Sequence, residues 1–181
     1  MPLALSLVLS ILTGQENPAP YNSAVRAYCQ QNLNQKIGRG ECSDLAAAAL
    51  AAAGAASMSK NEIPAKGDYV WGQCVYILDC RRNSRTEIFP STGYVPAAGD
   101  IVQLRDIKLG RTTVHPDGST SWYSMEYGHH TSVISSISAD GSTWKVFEQN
   151  VNGKKQVMEN PMVLPDVQQG YLRVYRPVKA P

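Results

Sequence analysis

Gly38-Arg39-Gly40-Glu41-Cys42-Ser43-Asp44, followed directly by LAAAALAAAG (residues 45–54), is the stretch from which the fold is read. A polar, glycine-rich turn passes into a helix that is almost pure Ala and Leu, the strongest helix formers. Such a helix is apolar nearly all round and is expected in a core. Gly54 is placed to cap its C-terminus. The turn delivers a thiol to the helix start. There, unpaired backbone N–H groups and the positive end of the helix dipole favour thiolate over thiol. The same N–H groups can stabilise an oxyanion, with the Cys42 N–H among them. Cys42 is therefore a candidate nucleophile. Glu41 and Asp44 beside it act the other way, since neighbouring acids raise a thiol pKa.

Outward from this stretch, residues 22–34 carry Val25, Tyr28, Cys29 and Leu33 at the spacing of one helix face, with Asn22 or Ser23 as the cap. Downstream the pattern changes period. DYVWGQCVYILDC (68–80) reads as a strand interrupted at Gly72, and RRNSR (81–85) as a solvated turn. VPAAGDIVQLRD turns at Pro96–Gly99 into a strand, and the polar stretch 106–128 is a hairpin or a long surface loop. HTSVISSI (130–137) and STWKVFEQNV (142–151) form strands joined by an Ala-Asp-Gly turn. KKQVMENPMVLP and GYLRVYRPV supply one or two more. In the last, Tyr171, Arg173 and Tyr175 alternate with Leu172 and Val174, which makes two distinct faces. Two helices followed by mostly antiparallel strands define an α+β architecture. The cysteine helix is expected to pack on a twisted or barrel-like sheet.

The chain has 181 residues, 43% hydrophobic and 18% charged, the composition of one globular domain. A net charge of +2 without clustered Lys, Arg and aromatics argues against a nucleic-acid partner. MPLALSLVLSILTG is too short for a comfortable membrane span but has the length of a secretory h-region, although no Lys or Arg precedes it. Residues 1–19 are thus expected to be a signal peptide or N-terminal tail, and 20–181 the domain. If the signal is used the protein is exported to the periplasm or beyond; otherwise it is cytoplasmic. The cysteines are Cys29, Cys42, Cys74 and Cys80, with no CxxC pair. An oxidising compartment would permit one disulfide among Cys29, Cys74 and Cys80. Cys42, His115, His129 and His130 have no spacing typical of a zinc site, and no metal or other cofactor is expected.

A thiol nucleophile needs an imidazole, and the imidazole needs an acceptor on its other nitrogen. His130 opens the strand HTSVI, and Glu148-Gln149-Asn150 closes the strand after it, so a hairpin makes them neighbours. Glu148 and Asn150 are two residues apart and are expected to share a face, either of them able to orient His130. His129 is the alternative base. Adjacent strand residues face opposite ways, so only one of the two histidines can serve. His130 is preferred because β-formers follow it directly. Cys74, in Trp71-Gly72-Gln73-Cys74, is the rival thiol, but a strand follows it and it lacks the helix dipole.

GRGECSDLAAAAL, PAAGDIVQL, GHHTSVI and VFEQN, in this order, resemble the papain-like CHAP domains (cysteine, histidine-dependent amidohydrolase/peptidase) and the related NlpC-type cell-wall peptidases. The resemblance implies a papain-like core with Cys42 as nucleophile, His130 as base, Glu148 as third member and Asn150 as fourth. It implies amide hydrolysis of a peptide or peptidoglycan-like substrate. The long stretch 106–128 departs from that family's usual pattern. The Gly-x-Gly-Glu-Cys start, Tyr69-x-Trp71-Gly72 and Glu148-Gln149-Asn150 are also similar to cysteine-proteinase-fold domains at the ends of some fungal cytoskeletal proteins and in some bacteria. A non-catalytic peptide- or glycan-binding module on the same fold is the alternative function.

Overall fold

In a computed structural model, residues 20–57, 68–81 and 84–180 are described. The segment read as an export signal lies outside them, as does most of the polar loop before Asp68. The elements are α1 (Pro20–Gln31), α2 (Cys42–Ala53), β1 (Gln73–Asp79), β2 (Thr86–Ile88), β3 (Ile101–Val114), β4 (Thr120–Ile137), β5 (Thr143–Glu148), β6 (Met158–Val163) and β7 (Val167–Arg176). A 3-10 turn, Leu164–Asp166, joins β6 to β7.

The strands form one antiparallel sheet in the order β2-β1-β7-β3-β4-β5-β6. β2 and β6 are its edges and do not pair with each other, so the expected barrel-like closure is not made. The stretch 106–128 is the outer part of a long β3–β4 hairpin. Its pairing runs unbroken to Val114↔Thr120 and turns at His115–Ser119. Its polar composition hides a strand because this arm is solvated, with Val114 and Trp122 exposed.

Alternation along the strands sends side chains to two cores. Ile101, Val133, Phe147 and Tyr175 pack with Leu45, Ala46, Ala49 and Leu50 of α2 and Val25 and Cys29 of α1. Their neighbours Val102, Ile134, Val146 and Val174 join Leu104, Trp144, Met162 and Leu172 on the opposite face. α2 is not buried all round: Leu45, Ala46, Ala49 and Leu50 are inside, while Ala47, Ala51 and Ala52 are exposed. Alanine is tolerated on either side, so it concealed the period of the buried face.

α1 begins at Pro20, which suits the first helical position because its missing N–H would be unpaired there anyway. Asn22 is therefore inside the helix and not its cap. Its buried amide donates to Ala98 O at 3.0 Å and to Asp100 Oδ1 at 2.7 Å. Arg176, from the last strand, reaches the same carboxylate through Nε and Nη2, each at 3.1 Å. This network ties α1, the turn before β3 and the end of β7 together. The turn requires glycine: a Cβ on Gly99 (φ +87°) would lie 2.1 Å from Asn22 O.

The four cysteines are free thiols. Cys29 and Cys80 are buried in different cores, and Cys74 lies on β1.

Candidate active site

Glu41 is the N-cap of α2 and Cys42 its first helical residue. Asp44 folds back to accept from the Arg39 N–H at 2.8 Å and the Glu41 N–H at 3.3 Å, which fixes the turn. Gln149, fully buried, clamps the turn from the sheet side. Its amide donates to Ile37 O at 3.0 Å and Glu41 O at 2.7 Å, and its carbonyl accepts from the Ile37 N–H at 3.3 Å. The helix start therefore stands against the end of β5.

Strand pairing explains what Cys42 meets there. β5 pairs with β4 only as far as Val133↔Phe147 and ends at Glu148. Past that point β4 has no β5 partner, and Thr131 and His130 there interact with Cys42. The sulfur accepts from the Thr131 backbone N–H and hydrogen-bonds the His130 side chain. His130 Nε2 meets Glu148 Oε2 at 2.8 Å, which leaves Nδ1 for the sulfur. His130 is 4% exposed and Glu148 1%, so the pair works in a medium of low dielectric constant, where charges interact strongly. Burial pushes the Cys42 thiol up. The His130 hydrogen bond and charge, with the Thr131 and Ser43 backbone, outweigh that and bring it below its ordinary value. Burial pushes His130 down, but Cys42 and Glu148 hold its proton and raise it to about 9. Both shifts favour a thiolate–imidazolium pair.

The neighbouring acids do not act as the sequence suggests. Glu41 turns to Lys155 Nζ at 2.9 Å and to the Asn150 amide at 2.8 Å, and Asp44 pairs with Arg39. Their charge is compensated locally. Asn150 is thereby taken away from His130. The strand has ended, Asn150 adopts φ 64°, and the two-residue alternation that would align it with Glu148 is broken.

His129 lies on the other face, its ring 5.1 Å from Tyr69 and its Nε2 3.9 Å from the Asp68 carboxylate. Cys74 is pushed up by burial, with Arg173 only partly opposing. His115, in the turn of the β3–β4 arm, bonds Ser121. Among the described residues no three His, Cys, Asp or Glu side chains group as a metal site would require. No helix there is long and apolar enough to cross a membrane.

Three contributors carry no local sequence signal. Asn160 on β6 donates to Glu148 Oε1 at 2.8 Å, the oxygen His130 does not use. The Tyr127 ring stacks on His130 (centroids 4.6 Å apart, planes 25°), and its hydroxyl reaches Glu148 Oε2 at 3.5 Å. Gln103 on β3 accepts from the Trp71 indole at 2.9 Å and the Thr131 hydroxyl at 3.0 Å, and donates to His130 O at 3.0 Å. Pairing across β3, β4 and β6 brings these together, and only the assembled register reveals them.

A thiol at a helix start, facing a buried His–Glu pair on an antiparallel sheet, is the arrangement of the cysteine proteinase fold. The chain belongs to the AIM3/BBC1 cysteine proteinase-fold domain family, whose profile matches residues 15–181. No curated protein and no solved structure matches the chain. The family supports the papain-like fold; it does not single out the CHAP or NlpC branch.

Proposed function

We propose that the protein is a thiol-dependent peptidase or amidase, with Cys42, His130 and Glu148 as its catalytic residues. The observation that carries this reading is the contact of Cys42 with the buried His130–Glu148 pair, in which both shifts favour the charged pair. Membership of a cysteine proteinase-fold family supports it. The Cys42 thiolate attacks the carbonyl carbon of a peptide amide, and the oxyanion forms against the first N–H groups of α2. His130 gives its proton to the leaving nitrogen, the C–N bond breaks, and a thioester remains on Cys42. His130, now neutral, takes a proton from water. The hydroxide adds to the thioester, the C–S bond breaks, the acid leaves and the ion pair is restored. Glu148 holds the ring through Nε2 and stabilises its charge. Asn150 enters one step removed, by holding Glu41.

The substrate proposed is a peptide amide, with peptidoglycan peptides as one such class if the protein is exported. The purified chain, incubated with a mixed peptide library and separately with peptidoglycan, is expected to release new termini detectable by mass spectrometry. Cys42→Ala is expected to abolish them. Identical spectra for wild type and Cys42→Ala would overturn the proposal and favour a binding module.

A further inference from the structure

Next to Cys42 on the helix-bearing face of the sheet lies a charged cluster that the proposed chemistry does not use. Thr131, whose N–H holds the Cys42 sulfur, pairs with Gln103, and Gln103 pairs with Arg173. Arg173 is thus in the row of Thr131, two strand spacings away, about 10 Å. His129 is one row further along β4, about 7 Å from Thr131, in register with Arg105 and Tyr171. Both rows meet at Asp68, whose side chain is fully buried.

The cluster is unbalanced. Asp68 is committed to Arg105, through Nε at 2.6 Å and through Nη2, and to the Tyr171 hydroxyl. Arg173 Nη1 stops at 3.7 Å from the same carboxylate and His129 Nε2 at 3.9 Å, both beyond hydrogen-bond range. Both nitrogens are buried and have no hydrogen-bond partner. Two guanidiniums therefore share one carboxylate; Arg173 also lies over the Tyr171 ring, 4.8 Å from its centroid, but its Nη1 keeps no hydrogen-bonded acceptor. The side chains of Arg173 and His129 nevertheless remain 21% and 29% exposed, so the cluster is open to one side.

We propose that Arg173 and His129 form a carboxylate-binding subsite that selects ligands with an acidic group near the bond presented to Cys42. This rests on the thiol chemistry proposed above. Taken from Thr131, beside Cys42, a span of about 7–10 Å corresponds to two to three extended residues at about 3.3–3.6 Å each. The ligand class is a peptide with a free C-terminus or an acidic side chain at that distance. A guanidinium suits such a group because it binds carboxylates in a planar, two-point manner.

The test titrates the full chain with N-acetyldiglycine and with its amide, which differ only in the charged end. Binding is read by backbone NMR shifts, and protection of Cys42 by its alkylation rate with iodoacetamide. The acid is expected to bind about tenfold more tightly than the amide, to shift the 103–105 and 171–173 amides, and to slow alkylation. Arg173→Gln is expected to remove the difference between acid and amide, and Arg173→Lys to keep part of it. Equal binding of acid and amide by the wild type, acid binding that leaves alkylation unchanged, or an intact preference in folded Arg173→Gln would each overturn the proposal. The acid–amide comparison needs no variant, so a misfolded substitution does not void it. The NMR arm needs no reactive thiol, so failure of the thiol chemistry is recognised separately, by the pH dependence of alkylation.

Discussion

Burial by itself would leave both Cys42 and His130 uncharged; their contact with each other and with Glu148 reverses that. The pH dependence follows from the two directions. Peptide hydrolysis should rise through a Cys42 pKa lying below the ordinary thiol value and fall near 9, as His130 loses its proton. The apparent values belong to the coupled pair. The stability linkage carries opposite signs for the partners. His130, raised in the fold, contributes stability that is complete below its unfolded pKa of about 6.5 and is lost as pH rises through about 9. Cys42, lowered in the fold, contributes stability that is complete above the ordinary thiol value and is lost as pH falls through its native pKa. Glu148 depends on Asn160, because the remaining oxygen of a buried carboxylate needs a donor. Asn160→Ala should cost about 1–3 kcal/mol in urea unfolding and depress turnover about tenfold. Asn160→Gln, restoring an amide, should recover part of the turnover; no effect of either change on the pH profile would separate Asn160 from the site.

At the scale of elements, the site depends on how closely α2 approaches β4. Ala46 and Ala49 have no exposure and leave room for Ile101, Val133 and Tyr175 beneath the helix. Ala49→Leu should overfill that interface, cost about 1–3 kcal/mol and slow Cys42 alkylation by moving the thiol off Thr131 and His130. Circular dichroism in urea and iodoacetamide kinetics read the two effects. The helix start was legible in the sequence because Gly-x-Gly, the thiol and the Ala/Leu run are local. So was the pairing of His130 with Glu148, since a short hairpin joins their strands. Asn150 was misplaced because a period-two argument holds only while the strand continues, and β5 stops at Glu148. The acids beside Cys42 misled for a related reason. Glu41's partner Lys155 is over a hundred residues away in sequence, and no local pattern announces it.

Across the whole molecule, the Asn22–Asp100–Arg176 network closes the domain, joining its first helix to its last strand. Burial pushes Asp100 up even with Arg176 beside it, so the pair is costly to break and only weakly stabilising on balance. Asp100→Ala removes a buried carboxylate that holds the 4%-exposed Arg176 at two points and should cost about 3–5 kcal/mol in urea unfolding. An unchanged midpoint would contradict this account of how the domain is held. The alternation of Leu172 and Val174 with Tyr171, Arg173 and Tyr175 revealed a strand with two faces, but not whether the sheet closes. Closure depends on whether β2 and β6 meet, and neither strand's residues encode that encounter. The central claim is that Cys42 and His130 form a reactive ion pair. The rate of Cys42 alkylation by iodoacetamide, followed from pH 4 to 10 in wild type and His130→Ala, tests it most directly. The pair predicts fast labelling well below the free-thiol value of about 8.5 in the wild type, and a rise displaced to that value or above in His130→Ala. Superimposable profiles, both rising only near or above 8.5, would contradict it.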